Sequence, residues 1–300
     1  MNKNFKKWMG KWGALVITSA MLIVMVMILV GFAVSGNISL PGQQTTTPTS
    51  TPSASTPNNG TPSYSKPAYS NTTGNYISLG MFQNFGIVGD SYAVGTVFIL
   101  NEDGTLKSVN YYEHLAWGNI MAKKLGTKCA NFSWGGLSTR NWLTDYRGLA
   151  ALQAAPAQDI YYLMLGINDK ETYGTESIGS LDDIKDDFTQ NADTFYGNYG
   201  KIICHIKAHA PEAKLIISTM TGVTGLNKTY NDAIEEIADH FGIPCVKQYE
   251  YEFFSSDFYR KNLVGSHPTA PVYAAMANVF EEMFKDAVMN NMEYFKDYVG

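Results

Sequence analysis

Apolar positions are distributed in two different ways along this chain of 300 residues. From about residue 76 to the C-terminus, short apolar runs alternate with longer stretches of helical period. The runs at 85–88, 129–132, 160–165, 214–218 and 243–246 have the length of buried strands. The stretches at 112–125, 196–210, 228–241 and 268–289 repeat their apolar residues at the three-to-four spacing of a helix. This alternation predicts an α/β domain over residues 76–300, a three-layer α/β/α sandwich with a mostly parallel five-stranded sheet. In an open parallel sheet the functional crevice lies outside the carboxyl ends of the strands, so the residues just after each run are the ones to inspect.

The N-terminal quarter is patterned otherwise. Residues 13–34 carry no charge, and Thr18 and Ser19 are their polar members. About 22 residues rising 1.5 Å each give roughly 33 Å of helix, enough to cross a bilayer. Lys3, Lys6, Lys7 and Lys11 precede this run, and the next charged residue is Lys66. The basic flank predicts that residues 1–12 are cytoplasmic and that the C-terminal mass lies outside the cell. Ala33 and Ser35 offer a small-x-small site, so cleavage and secretion are the competing reading. The run is longer than the usual core of a cleaved signal, which favours a retained transmembrane anchor. Residues 35–75 are dominated by Ser, Thr, Pro, Gly and Asn. They cannot bury enough apolar surface to offset their ordering entropy, which predicts a disordered tether with a reach of roughly 35 Å.

With a net charge of −5 and no long basic or acidic run, nothing in the sequence suggests a nucleic-acid partner, and none is expected. Cys129, Cys204 and Cys245 are too few and too scattered for a disulfide framework or a paired-cysteine zinc site, and one disulfide with one thiol left over stays open. His205 and His209 stand four apart on a helical stretch, but the glutamate of the metalloprotease motif is missing, so a solvated helix face is favoured over zinc. Neither a GxSxG elbow nor a phosphate-binding P-loop occurs.

Four places remain where chemistry is concentrated. Gly89-Asp90-Ser91 follows the first strand, which sets Ser91 where strand hands over to helix. Asn131-Phe132-Ser133-Trp134-Gly135-Gly136 follows the second, and a glycine there lets a loop turn its N–H toward a reacting oxygen. Gly166-Ile167-Asn168-Asp169 follows the third, with the Asn168 amide as a further donor. His267-Pro268-Thr269 places a histidine just before the last helix, with proline at its first position. Taken singly each has an ordinary structural role, such as a helix-capping serine or a turn glycine. Together they supply one nucleophile, two donors and one base, all at the ends of elements.

These four blocks, in this order, resemble the SGNH (GDSL-type) hydrolase family over about residues 85–284. The resemblance implies a flavodoxin-like three-layer fold and hydrolysis of an ester, often an acyl group on a sugar. It implies that Ser91 is the nucleophile, that Gly136 and Asn168 join the Ser91 N–H in the oxyanion hole, and that His267 is the general base. No metal or organic cofactor is required. The partners expected are an acyl-ester substrate such as an acylated glycan, and the membrane through the N-terminal helix.

One departure stands out, because the family usually has an aspartate three residues before the histidine and this chain has Val264. Either a backbone carbonyl orients His267, or another carboxylate such as Asp257 does, or activity is low; the carbonyl is the favoured reading. The same departure leaves open an inactive glycan-binding module, and the serine chemistry leaves open an acyltransferase. Trp117, Trp134, Tyr92 and Tyr259 are candidates for stacking on sugar rings, with core packing the commoner role. The polar, turn-rich stretches 96–110 and 170–193 are expected to form loop walls of the pocket.

Overall fold

The computed structural model describes residues 78–299. Its strands follow in the order β1 (Asn84–Gly89), β2 (Thr96–Leu100), β3 (Leu106–Tyr111), β4 (Lys128–Ser133), β5 (Ile160–Met164), β6 (Lys214–Ser218), β7 (Cys245–Val246), β8 (Leu263–Val264) and β9 (His267–Pro268). The helices that matter below are α1 (Ser91–Val94), α2 (Trp117–Leu125), α3 (Thr139–Trp142), α4 (Ile167–Tyr173), α5 (Phe195–His209), α6 (Leu226–Phe241) and α7 (Ala270–Asn290).

The five expected strands form one sheet in the order β4-β1-β5-β6-β7, with every neighbouring pair parallel. Their near-continuous apolar character follows from burial on both faces. Alternation along each strand divides the core in two. Phe85 and Ile87 of β1, Tyr162 of β5 and Ile216 of β6 face α2 and α7, where Trp117 stacks on Phe280 at 3.8 Å and Phe85 meets the edge of Phe284. Val88, Tyr161, Leu163, Leu215 and Ile217 face α5 and α6 on the other side. On α6 the buried Tyr230, Ile234, Ile237 and Ala238 keep the spacing that aligns them on one stripe. Each large apolar side chain buried this way contributes about 1.5–3 kcal/mol.

Gly89 at the end of β1 pairs with Ser133 of β4 on one side and Met164 of β5 on the other. The chain leaves β1 for β4 at one edge and reaches β5 to β7 at the other, so the strand order reverses about β1 and opens a crevice at its carboxyl end. Asp90 and Ser91 emerge there.

Three local expectations are corrected. Residues 96–110 are not a loop: β2 and β3 form an antiparallel hairpin that pairs Thr96 with Tyr111 and Phe98 with Val109. Residues 170–193 begin inside α4 and continue through short helical turns at Leu181–Asp183 and Phe188–Gln190. The last helix begins at Ala270 with Pro271 in its first turn, whereas Pro268 lies in β9 beside His267. The cysteines are free thiols, and burial pushes Cys129 and Cys245 up to about 12. The expected membrane span at 13–34 and tether at 35–75 lie outside the described residues, among which no helix is long and apolar enough to cross a membrane.

Candidate active site

Ser91 is held from three directions. It opens the one-turn helix α1, whose start is capped by the Asp90 carboxylate accepting from the Tyr92 N–H at 3.0 Å. From α7, the Tyr273 hydroxyl donates to the Ser91 carbonyl at 3.1 Å, and from β4 the Asn131 amide donates to the Ala93 carbonyl at 2.8 Å. Ser91 is 7% exposed, so only a small part of it meets solvent. Its own N–H heads the helix and has no partner within it. Among the described residues neither that N–H nor the one of Gly136 donates to an acceptor outside its own element.

Gly136 lies in the turn after β4 at φ 80°, a backbone region L side chains rarely adopt, and nothing crowds the place where a Cβ would stand. Glycine is therefore needed there for conformation and not for space. The next residue ties this turn to the loop after β5, because the Asn168 amide donates to the Leu137 carbonyl at 3.0 Å. A second tie runs beside it: the buried Asp169 carboxylate accepts from the Thr139 N–H at 2.9 Å and from its hydroxyl at 2.5 Å. The loops flanking β1 are thus cross-linked, which brings Gly136 and Asn168 to the same rim. Burial pushes Asp169 up to about 6 and Asp90 up to about 7, and the two carboxyls are close enough for Asp169 to add to the rise at Asp90.

His267 stands on a second hairpin, where it pairs directly with Val264. The two linking residues, Gly265 at φ 54° and Ser266 at φ 63°, make the doubly left-handed turn that suits a two-residue hairpin. That turn brings the Gly265 carbonyl to 2.9 Å from His267 Nδ1. Phe98 of β2 stacks on the imidazole at 4.1 Å and Tyr92 stacks on it at 5.5 Å, while the Tyr92 hydroxyl donates to the Ser266 carbonyl. Burial lowers the His267 pKa, and the Gly265 carbonyl works against that shift. Asp257 is elsewhere engaged: it is exposed at the start of a short helix, bound to Arg260 at 3.1 Å and Lys261 at 2.8 Å. The hydrogen bonds of the described residues include none between Ser91 Oγ and His267, a contact that is often long before substrate binds.

Residues 87–275 match the family model of the GDSL-like lipase/acylhydrolases. The chain belongs to that family. It is accordingly a serine hydrolase. Of the solved structures, one aligns with this acylhydrolase at a TM-score of 0.53 and 19% identity, over 72% of this chain and 99% of that one, a likeness of fold. Two others lie lower. A possible lipase from Chitinophaga pinensis DSM 2588 aligns at TM-score 0.46 and 16% identity, over 69% of this chain and 98% of that one. A family two carbohydrate esterase from Clostridium thermocellum, in complex with cellohexaose, aligns at 0.48 and 13%, over 71% and 65%. A search of curated proteins finds no match.

Beside the Ser91 turn the acylhydrolase has a cavity of about 70 Å³ at the ends of β5, β6 and β7, lined by Asp90, Tyr92, Met164, Met220, Gln248 and Tyr259. Three of the four aromatic candidates offer no open face. Trp117 and Tyr259 are buried in the core, whereas Tyr92 is half-buried, with His267 stacked on its ring. Tyr111 stacks on Trp134 at 4.0 Å and the Arg147 guanidinium lies over the same ring at 4.3 Å. Two groups that close to one ring centre cannot share a face, so both are covered. The exposed ring of this column is Tyr146, 73% exposed and 4.7 Å from the Arg147 guanidinium, which the pattern of the sequence did not single out. His205 packs edge-on against Phe188, and among the described residues no group of three or more His, Cys, Asp or Glu is placed to hold a metal ion.

Proposed function

We propose that this acylhydrolase cleaves a short acyl ester, an O-acetyl or similar group, from an extracellular or cell-surface polysaccharide, with Ser91 as nucleophile and His267 as general base. The observation that carries this reading is the Gly265 carbonyl 2.9 Å from His267 Nδ1. A carbonyl only accepts, so the neutral ring keeps its proton on Nδ1 and presents the lone pair of Nε2 as the base. The role of the absent aspartate in fixing the tautomer is thereby filled.

In this mechanism Nε2 takes the Ser91 hydroxyl proton as Oγ attacks the ester carbonyl. The developing oxyanion is met by the Ser91 N–H, the Gly136 N–H and the Asn168 amide, each worth roughly 10²- to 10³-fold in rate. Collapse expels the sugar hydroxyl, which takes the proton from the imidazolium. Water then attacks the acyl-Ser91 ester with Nε2 again as base, releasing the carboxylic acid and free Ser91. Polysaccharide as the acyl carrier is supported by the outward orientation that the lysines before residues 13–34 predict. The same orientation makes this a single-pass membrane protein with its catalytic domain outside the cell.

The test is nitrophenol release from short acyl esters by the full chain, followed by acetate release from acetylated polysaccharides, with Ser91→Ala and His267→Ala as controls. Turnover abolished in both variants is the expected result. Turnover that survives Ser91→Ala, or a wild-type chain that neither turns over nor is labelled at Ser91 by a fluorophosphonate, overturns the proposal.

A further inference from the structure

We infer that Tyr92 is the positioning residue that substitutes for the missing carboxylate, by holding the Gly265-Ser266 turn and the His267 ring in register with Ser91. The inference rests on the reading of Ser91 and His267 given above. A carboxylate orients an imidazole by full charge, whereas a carbonyl offers only a partial one, so an imidazole oriented by a carbonyl depends on the framework that fixes that carbonyl. Here the framework is a two-residue turn, and Ser266 is the non-glycine residue with positive φ among the described residues. A strained residue persists only when its surroundings over-determine it.

Tyr92 supplies that determination across 174 residues of sequence, its hydroxyl donating to the Ser266 carbonyl while its ring stacks on the imidazole. It is also the residue after the nucleophile, and its N–H is fixed by Asp90 at 3.0 Å. One side chain thus links the backbone of Ser91 to both the turn and the ring of the base. Burial pushes Tyr92 up to about 12, so the hydroxyl stays a donor through neutral pH. The titratable groups packed on this side of His267 are Tyr92 itself and, behind it, Tyr259 and Asp90, whose charges or hydroxyls act on Tyr92. From the hairpin, Phe98 adds an apolar ring and no charge.

Tyr92→Phe keeps the ring and removes the hydroxyl, leaving the Ser266 carbonyl at a solvent-exposed residue where water replaces the bond. In the full chain the expected result is a fall of about tenfold in kcat for a nitrophenyl ester with KM unchanged, the size of one lost hydrogen bond. The acid limb of the pH profile should also move to lower pH, because a loosened carbonyl no longer favours the imidazolium. Val264→Asp, placed on the Tyr92→Phe background, should recover most of the loss by orienting the ring directly. Ring ¹⁵N shifts of His267 give a second readout confined to folded protein: one Nδ1–H tautomer in the wild type and a mixture in Tyr92→Phe. If Ser91→Ala and His267→Ala are dead but Tyr92→Phe keeps the wild-type kcat, acid limb and tautomer, this inference fails and the catalytic reading stands. If activity survives Ser91→Ala, both fail.

Discussion

Val264 pairs directly with His267 across the β8–β9 hairpin, so the two side chains leave the same face of the ribbon. Val264→Asp therefore sets a carboxylate beside the ring. A neighbouring negative charge favours the imidazolium and raises the His267 pKa from its burial-lowered value. The base is then protonated over a wider acid range, so the acid limb of activity moves to higher pH. Above the limb kcat should rise by about tenfold, far less than the roughly 10⁴-fold that such an acid supplies where no carbonyl holds the tautomer. A pH–rate profile on a nitrophenyl ester measures both effects, and an unmoved limb would mean that the carboxylate does not reach the ring.

Asn168→Ala separates the oxyanion donor from the scaffold. The amide also donates to the Leu137 carbonyl, but the Asp169 to Thr139 bonds keep the two loops tied when it is removed. The expected change is a loss of roughly 10²-fold or more in kcat with KM little altered and only a small fall in melting temperature. Counting active sites with a fluorophosphonate before measuring kcat distinguishes lost rate from lost protein.

The sheet was legible because strands buried on both faces are continuous apolar runs, and the four motif blocks could be placed because each stands at a strand or helix end. What brings those blocks into contact was not. The bond from Tyr92 to Ser266 spans 174 residues, and the stack of Phe98 on His267 joins a hairpin to the last turn before α7. No periodicity encodes such pairs. The hairpin itself had a local signal, since Asp103-Gly104 sits between two β-rich runs. Its alternation is blurred because the hairpin packs on little: Ile99, Leu100, Leu106 and Val109 are all exposed large hydrophobics. Trp134 is a stacking candidate from the chain alone, and its covering by Tyr111 and Arg147 comes from two other segments.

Asp90→Asn tests the cost of burying a carboxyl next to the nucleophile. The group's native pKa is pushed up to about 7 from the ordinary 3.8. Between those values the native state holds a proton that the unfolded chain has released, so stability on this group's account falls as pH rises from about 4 to 7 and is level above. Asparagine keeps an oxygen to accept from the Tyr92 N–H and has no charge to bury. The variant should gain up to roughly 4 kcal/mol at pH 8 and nothing near pH 4. Denaturant unfolding at the two pH values decides it, and an equal effect at both would assign the change to packing.

Gly265→Ala should damage the base without touching a reacting atom. A Cβ there would stand 2.4 Å from the Phe98 ring, and the residue's φ of 54° is one that alanine adopts with strain. The turn has to shift, carrying its carbonyl away from Nδ1, and a displacement near 1 Å at such a site costs about 10²-fold in rate. The steric part and the conformational part can be told apart: Phe98→Ala on the Gly265→Ala background removes the clash but leaves the strained φ. Partial recovery of kcat in the double variant is the expected outcome. Phe98→Ala alone measures what the stack on the imidazole contributes; against that variant, full recovery would mean that the clash alone misplaced the imidazole, and no recovery would mean that the left-handed backbone of Gly265 is what holds the carbonyl on His267.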